Sequence, residues 1–163
     1  MENLLQAMHQ QWNEFSSDAL KLFIASVLGA IIGWEREIHH KGAGLRTHVL
    51  ICMGACLFCV VSLRMREAFN GDMLRLIQGM VLGIGFLAGG VIFTQQGSVY
   101  GLTTAAGLWV LTAIGIAVGL GYYFLAVFAT ALSIVIIAWL KVLERRLHKD
   151  KQGAGPPEPG SQS

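Results

Sequence analysis

The residues of this chain that could do chemistry are charged or imidazole side chains beside long apolar runs. One group follows the first apolar run, and another precedes the third. Ionisable side chains at such positions reach water at little cost, but they mark an ion or partner site when they face the interior of a helix bundle. The pattern predicts a functional polar site without catalytic residues, formed by Glu35, Arg36, Glu37, Arg46, His48, Asp72 and Arg75.

Asp72 has two interpretations. It is suited to cap the helix that follows, because a carboxylate at a helix N-terminus faces unpaired N–H groups and the positive end of the helix dipole. It also shares a helical face with Gly79 and Gly83, which favours a position inside a bundle. A lone carboxylate offers fewer oxygen ligands than a hard cation usually takes, so Asp72 does not identify a metal by itself. No cofactor is evident, and the identity of any metal stays open.

His48, Cys52, Cys56 and Cys59 form one stripe of a predicted helix. Thiolates and imidazoles bind zinc or copper, so a metal site is one hypothesis. The stripe is roughly 16 Å long at the helical rise, far longer than ligand distances of about 2 Å. We therefore expect the cysteines to be small packing residues, without a disulfide framework.

The composition is that of an integral membrane protein. Hydrophobic residues make up 54% of the 163-residue chain and charged residues 13%, which fits a soluble domain poorly. The basic residues do not form a patch with interleaved aromatics, so nucleic acid is not an expected partner. No nucleophile elbow, HExxH motif or P-loop occurs, and we expect no enzyme. GIGFLAGG lies inside an apolar run and not after a strand, so it does not indicate a dinucleotide site.

Hydropathy predicts an all-α membrane protein, a compact bundle of about five transmembrane helices. Residues 1–18 form an amphipathic N-terminal segment, with Leu4, Met8, Trp12 and Phe15 on one stripe. Residues 19–140 form the transmembrane domain, 141–152 a basic juxtamembrane helix end, and 153–163 a disordered tail. The predicted spans are about 19–34, 47–63, 74–93, 102–120 and 122–140.

Small residues predict where these helices touch. Lipid gives helices no hydrophobic reason to associate, so close backbone packing at glycine is a main driving force. The third span carries two glycine faces, which predicts a central helix with two close neighbours. Leucine at Gly83 or Gly89 should then disrupt assembly more than leucine at Ala88. A homodimer is also expected from so many small-residue stripes. The predicted packing residues are Gly29, Gly33, Gly79, Gly83, Gly85, Gly89, Gly90, Gly107, Gly115 and Gly119.

Basic residues predict the orientation. A cytoplasmic C-terminus places the basic residues of the first connector and those after Leu140 inside, and leaves outside only Arg64, Arg66 and Arg75. The positive-inside rule favours this arrangement, with an external N-terminus. It also separates the first connector from Asp72, so the polar residues form one site only if the helices are short or re-entrant.

Three long segments resemble the MgtC/SapB family of bacterial inner-membrane proteins. They are GAIIGWEREIHHKGAGLRTH at 29–48, DMLRLIQGMVLGIGFLAGGVIF at 72–93 and GLTTAAGLWVLTAIGIAVGLGYY at 101–123. The family's D-x-x-R motif matches Asp72 and Arg75, and its ERE and AGLRTH motifs match residues 35–37 and 43–48.

The resemblance implies a non-enzymatic inner-membrane regulatory or interaction protein, linked to growth at low magnesium, acid stress or survival inside host cells. Certain relatives are thought to modulate the membrane ATP synthase, so that enzyme or another membrane protein is an implied partner. The alternative is a transporter or channel for magnesium or another cation that uses the Asp72 region. Many relatives also carry a soluble C-terminal domain. We expect this chain to lack it, since the sequence ends in a basic helix and a proline-rich tail.

Overall fold

Five helices make up most of the protein. The computed structural model describes residues 2–69 and 73–152, and the side chains at 5, 6, 8, 9, 11–65 and 73–139. The helices are α1 (Glu2–Ile38), α2 (Leu45–Phe69), α3 (Met73–Gly90), α4 (Leu102–Gly119) and α5 (Tyr123–Gln152). Four of them are long and apolar enough to cross a bilayer, and Tyr123–Trp139 is a shorter apolar stretch of α5. The predicted all-α membrane fold is confirmed.

The N-terminal segment is not a separate helix. α1 runs unbroken for 37 residues, because no glycine or proline interrupts the sequence between Glu2 and Leu28. Arg64 of α2 donates hydrogen bonds to the carboxylates of Glu14 and Asp18, which ties this part of α1 to α2. The structure therefore joins the predicted amphipathic segment 1–18 to the predicted span 19–34 in one element.

A β-hairpin connects α3 to α4. Its strands, β1 (Phe93–Gln95) and β2 (Ser98–Tyr100), are antiparallel. The two turn residues, Gln96 and Gly97, have φ angles of 49° and 78°, as a type I′ turn requires. The rings of Phe93 and Tyr100 stack with centroids 5.6 Å apart. The predicted spans left residues 94–101 without a regular element, and the third span was extended to Phe93 where α3 ends at Gly90.

α2 packs between α1 and α4. It packs most extensively on α1 and α4, and glycines on both neighbours allow a close approach. A Cβ added at Gly29 would lie 3.0 Å from the Cys52 Cβ, and one at Gly119 would lie 2.5 Å from the Cys59 Cβ. At Gly115 an added Cβ would collide with the backbone carbonyl of Cys52. These contacts seal α2 between its two neighbours.

α3 lies at the edge of the bundle, which corrects the prediction that it is central. Only Ile84 and Ala88 are buried in it. A Cβ added at any of its five glycines would meet no heavy atom within 4 Å. Glycine spacing identifies a helix face without side chains, but it does not identify what covers that face. The α3 glycines without a close neighbour among the described residues are Gly79, Gly83, Gly85, Gly89 and Gly90.

Candidate functional site

A buried polar cluster lies where α1 ends and α2 begins. We define it as Glu35, Arg36 and His48. Arg36 is only 3% exposed and His48 is fully buried. The Glu35 carboxylate lies 3.6 Å from Arg36 Nε, which is an ion-pair distance and too long for a hydrogen bond. Among the described side chains, the buried Arg36 and His48 therefore have one carboxylate in the cluster, that of Glu35.

Helix packing positions the histidine. Gly33 of α1 has no side chain, and a Cβ there would lie 2.8 Å from the His48 Cβ. His48 Nδ1 lies 2.9 Å from the backbone oxygen of Gly44. Because a carbonyl oxygen only accepts, this contact assigns the proton to Nδ1 and leaves the lone pair on Nε2 in the neutral ring. The lone pair thus faces the protein interior.

Gly107 of α4 lies over the arginine. A Cβ at Gly107 would be 3.7 Å from Arg36 Nη2, so the α4 backbone covers the guanidinium. Sequence analysis predicted Gly107 as a helix-packing residue. In the structure, a Cβ added at Gly107 would have a charged side chain within 4 Å and no backbone atom of another described helix.

The polar cluster is left without full hydrogen bonding. Among the described side chains, the buried nitrogen and oxygen atoms that have no hydrogen-bond partner are Glu35 Oε2, Arg36 Nε, Arg36 Nη2 and His48 Nε2. All of them belong to the cluster. Unsatisfied buried polar groups destabilise a fold by about 1–3 kcal/mol each, and by more when they are charged. Ionisable groups retained at this expense inside a membrane protein indicate a functional site.

The other predicted residues of the first connector do not join the cluster. Glu37 is exposed, and its Oε2 accepts a hydrogen bond of 2.9 Å from the Leu45 N–H, so it caps the N-terminus of α2. A Cβ at Gly44 would collide with that carboxylate. Arg46 is exposed. His39, which sequence analysis missed, places Nδ1 2.9 Å from Glu35 Oε1; the i,i+4 spacing was the available signal.

The structure divides the predicted polar site. Arg75 is exposed near the start of α3 and borders the same groove as Phe58 of α2. None of the residues that line this groove belongs to the polar cluster. Asp72 lies outside the described residues. The described part of the predicted site therefore comprises a buried cluster and a separate arginine.

The cysteine stripe is part of the packed core. Cys52, Cys56 and Cys59 are free thiols and fully buried. They lie against the glycines of α1 and α4 described above. No group of three or more His, Cys, Asp or Glu side chains suited to hold a metal occurs in the described ranges.

Comparison with known proteins decides the family. Residues 22–146 match the MgtC family, a range that contains the polar cluster and all of α2, α3 and α4. This chain belongs to the MgtC family. It is a multi-pass membrane protein of the MgtC type.

Curated MgtC relatives are longer than this chain. It is 37% identical to "Protein MgtC" of Brucella abortus strain 2308, with 91% of this chain and 61% of the relative aligned. It is also 37% identical to the "Putative magnesium transporter YhiD" of Escherichia coli K12, over 78% of this chain and 62% of the relative. An uncharacterised Haemophilus influenzae protein is equally similar, over 81% and 59%. The chain thus spans about three fifths of these relatives. No solved structure matches it significantly.

Proposed function

We propose that this MgtC-family protein is a non-enzymatic membrane regulator that acts by binding another membrane protein and supports bacterial growth when magnesium is scarce. The observation that carries the proposal is the polar cluster. Arg36 is 3% exposed and keeps two nitrogens without hydrogen-bond partners. Such a group is retained for a role other than stability, since a buried guanidinium whose N–H groups lack hydrogen-bond acceptors destabilises the fold even beside a carboxylate.

The chemistry of the cluster favours regulation over magnesium transport. Magnesium takes oxygen ligands in octahedral geometry, whereas the cluster offers one carboxylate beside a guanidinium. A dication would be repelled by Arg36, and this repulsion is stronger in a protein interior than in water. The cluster is therefore poorly suited to a cation pathway.

Two arginines on either side of the first connector test the role of the cluster. In a bacterium that lacks its own copy of the gene, wild-type protein should restore growth at low magnesium. Arg36→Gln should fail to do so at equal protein level in the membrane. Arg46→Gln is the matched control because Arg46 is exposed, and it should restore growth. Growth with Arg36→Gln equal to wild type would contradict the proposal.

The proposed partner is the membrane ATP synthase. The support is the family membership, because the resemblance of residues 29–48, 72–93 and 101–123 to MgtC proteins carries that expectation. Inverted membrane vesicles would be assayed for ATP-driven proton pumping with and without the protein. Pumping should change with the wild-type protein and stay at the basal rate with Arg36→Gln. Unchanged pumping with both proteins would exclude this partner and leave another membrane protein as the target.

The second candidate function is transport of magnesium or another cation. It is favoured by one observation, the name "Putative magnesium transporter YhiD" of the Escherichia coli relative. Purified protein in liposomes loaded with a magnesium-sensitive dye separates the two functions. The regulatory proposal predicts the same magnesium influx as empty liposomes. An influx that Asp72→Asn abolishes would establish transport instead.

A further inference from the structure

An apolar groove of about 680 Å³ lies between α2 and α3, with Thr112 of α4 also lining it. We call it the α2–α3 groove. Its width comes from missing side chains, since a Cβ at Gly54, Gly79 or Gly83 would meet nothing within 4 Å. It shares no residue with the polar cluster, so it calls for a separate explanation.

The groove lies in the part of the protein that faces lipid. Both of its walls belong to helices long and apolar enough to cross a membrane. Phe58 on one wall is 60% exposed and Leu87 on the other is 52% exposed. Side chains this apolar and this exposed border lipid tails in a membrane-spanning segment. An apolar chain that enters the groove would come directly from the bilayer.

The length of the groove matches one leaflet. From Arg75 to Leu87 the helical rise is about 18 Å. Half of a hydrocarbon core of about 30 Å is about 15 Å. A single acyl chain from one leaflet could therefore follow α3 from its first turn to the groove's far end at Leu87.

Arg75 supplies the charge that selects the ligand. It is exposed and borders the groove at the start of α3, where the chain enters its membrane span. A guanidinium pairs with phosphate through two parallel hydrogen bonds. A cation at the entrance of an apolar groove of one-leaflet length is complementary to an anionic phospholipid, whose phosphate lies at the end of its acyl chains.

A second copy of the chain fits the groove less well. Closed dimers are two-fold symmetric and use the same surface on both subunits. A dimer through this groove would bring the two Arg75 side chains toward each other, and like charges repel strongly where little water is present. We propose that the α2–α3 groove binds one anionic phospholipid, with an acyl chain along Gly79 and Gly83 and the phosphate at Arg75.

Native mass spectrometry of the purified full chain tests this site. Phosphatidylglycerol or phosphatidylcholine is titrated into the detergent-solubilised protein. Wild type should retain one phosphatidylglycerol in preference to phosphatidylcholine. Arg75→Gln should weaken phosphatidylglycerol binding by about fivefold, the effect of one basic residue near an anionic membrane surface, and weaken phosphatidylcholine binding less, because the choline cation balances the charge of its phosphate.

Two leucine variants on α3 test the groove itself. Gly83→Leu fills the groove and should abolish retention of the lipid. Gly85→Leu is the matched control: it adds the same side chain two residues away, at a glycine that does not line the groove, and should retain the lipid. Size-exclusion chromatography verifies that both variants are folded, and if Gly83→Leu is not, the Arg75→Gln titration decides.

Three outcomes would overturn the proposal. The first is equal affinity of wild type for the two lipids. The second is equal lipid retention by folded Gly83→Leu and Gly85→Leu. The third is efficient disulfide crosslinking between copies carrying Gly79→Cys in native membranes, which would show that a second chain occupies the groove. The native cysteines are fully buried in the described structure, so a crosslink would report on position 79.

Discussion

The glycines of α1 and α4 and the glycines of α3 have the same spacing but opposite surroundings. Gly29, Gly33, Gly115 and Gly119 let the backbones of α1 and α4 approach α2 until an added Cβ would overlap or press on its neighbours. Gly79, Gly83, Gly85, Gly89 and Gly90 have open space around them. We call the first region the sealed interface and the second the open glycine helix.

The difference shows that small residues serve two purposes in this membrane protein. In the sealed interface they bring three helices together and enclose the polar cluster. In the open glycine helix they leave a surface without side chains, on which a separate molecule can bind. The sealed interface should therefore determine stability, and the open glycine helix should determine binding.

The largest expected effect distinguishes the two regions directly. Gly115→Leu would drive a side chain into the Cys52 carbonyl, and such overpacking destabilises a protein by about 3 kcal/mol or more. Gly83→Leu places the same side chain in open space and should leave the melting temperature near that of wild type. Thermal unfolding of the detergent-solubilised proteins, followed by size-exclusion chromatography, measures both.

The comparison between the two regions would be wrong if these variants had equal melting temperatures. It would also be wrong if Gly83→Leu were the less stable of the two, because α3 would then have a close neighbour within the chain.

A second pair sharpens the description of α3. Ala88 is buried and 7% exposed, so Ala88→Leu should overpack the contact of α3 with the core and destabilise the chain by about 1–3 kcal/mol. The neighbouring Gly89→Leu should change stability less, because position 89 is open. This order is the reverse of the sequence-based expectation for assembly. Chemical denaturation in mild detergent measures both variants, and greater loss of stability in Gly89→Leu would restore the original expectation.

A smaller effect is expected at the N-terminus of α2. Glu37→Ala removes the carboxylate that accepts the Leu45 N–H, and losing such a cap destabilises a helix by about 1 kcal/mol. Glu37→Gln keeps an acceptor oxygen and should lose less. Hydrogen exchange of the α2 amides by mass spectrometry should show faster exchange in the first turn of α2 in Glu37→Ala. Unchanged exchange would show that the cap does not hold this turn.

Sequence patterns predicted where the helices lie along the chain better than they predicted which helices pack against each other. Long apolar runs defined α3 and α4 to within a few residues, because lipid allows few other backbone arrangements, whereas α2 continues past the predicted end of its span to Phe69. The burial of Arg36 was not predictable, since its guanidinium lies near Gly107 of α4, a residue far along the chain. The hairpin after α3 was missed because three-residue strands carry little periodic signal.

Arg36→Met tests whether the polar cluster is buried for a function and not for stability. Methionine fills much of the arginine's space without a charge, and replacing buried charged groups by apolar ones is often neutral or stabilising. The melting temperature of purified Arg36→Met and its ability to restore growth at low magnesium should be measured on the same protein. We predict a melting temperature at least equal to that of wild type, together with loss of growth. A variant that is less stable, or one that restores growth fully, would contradict the claim that Arg36 is buried for function.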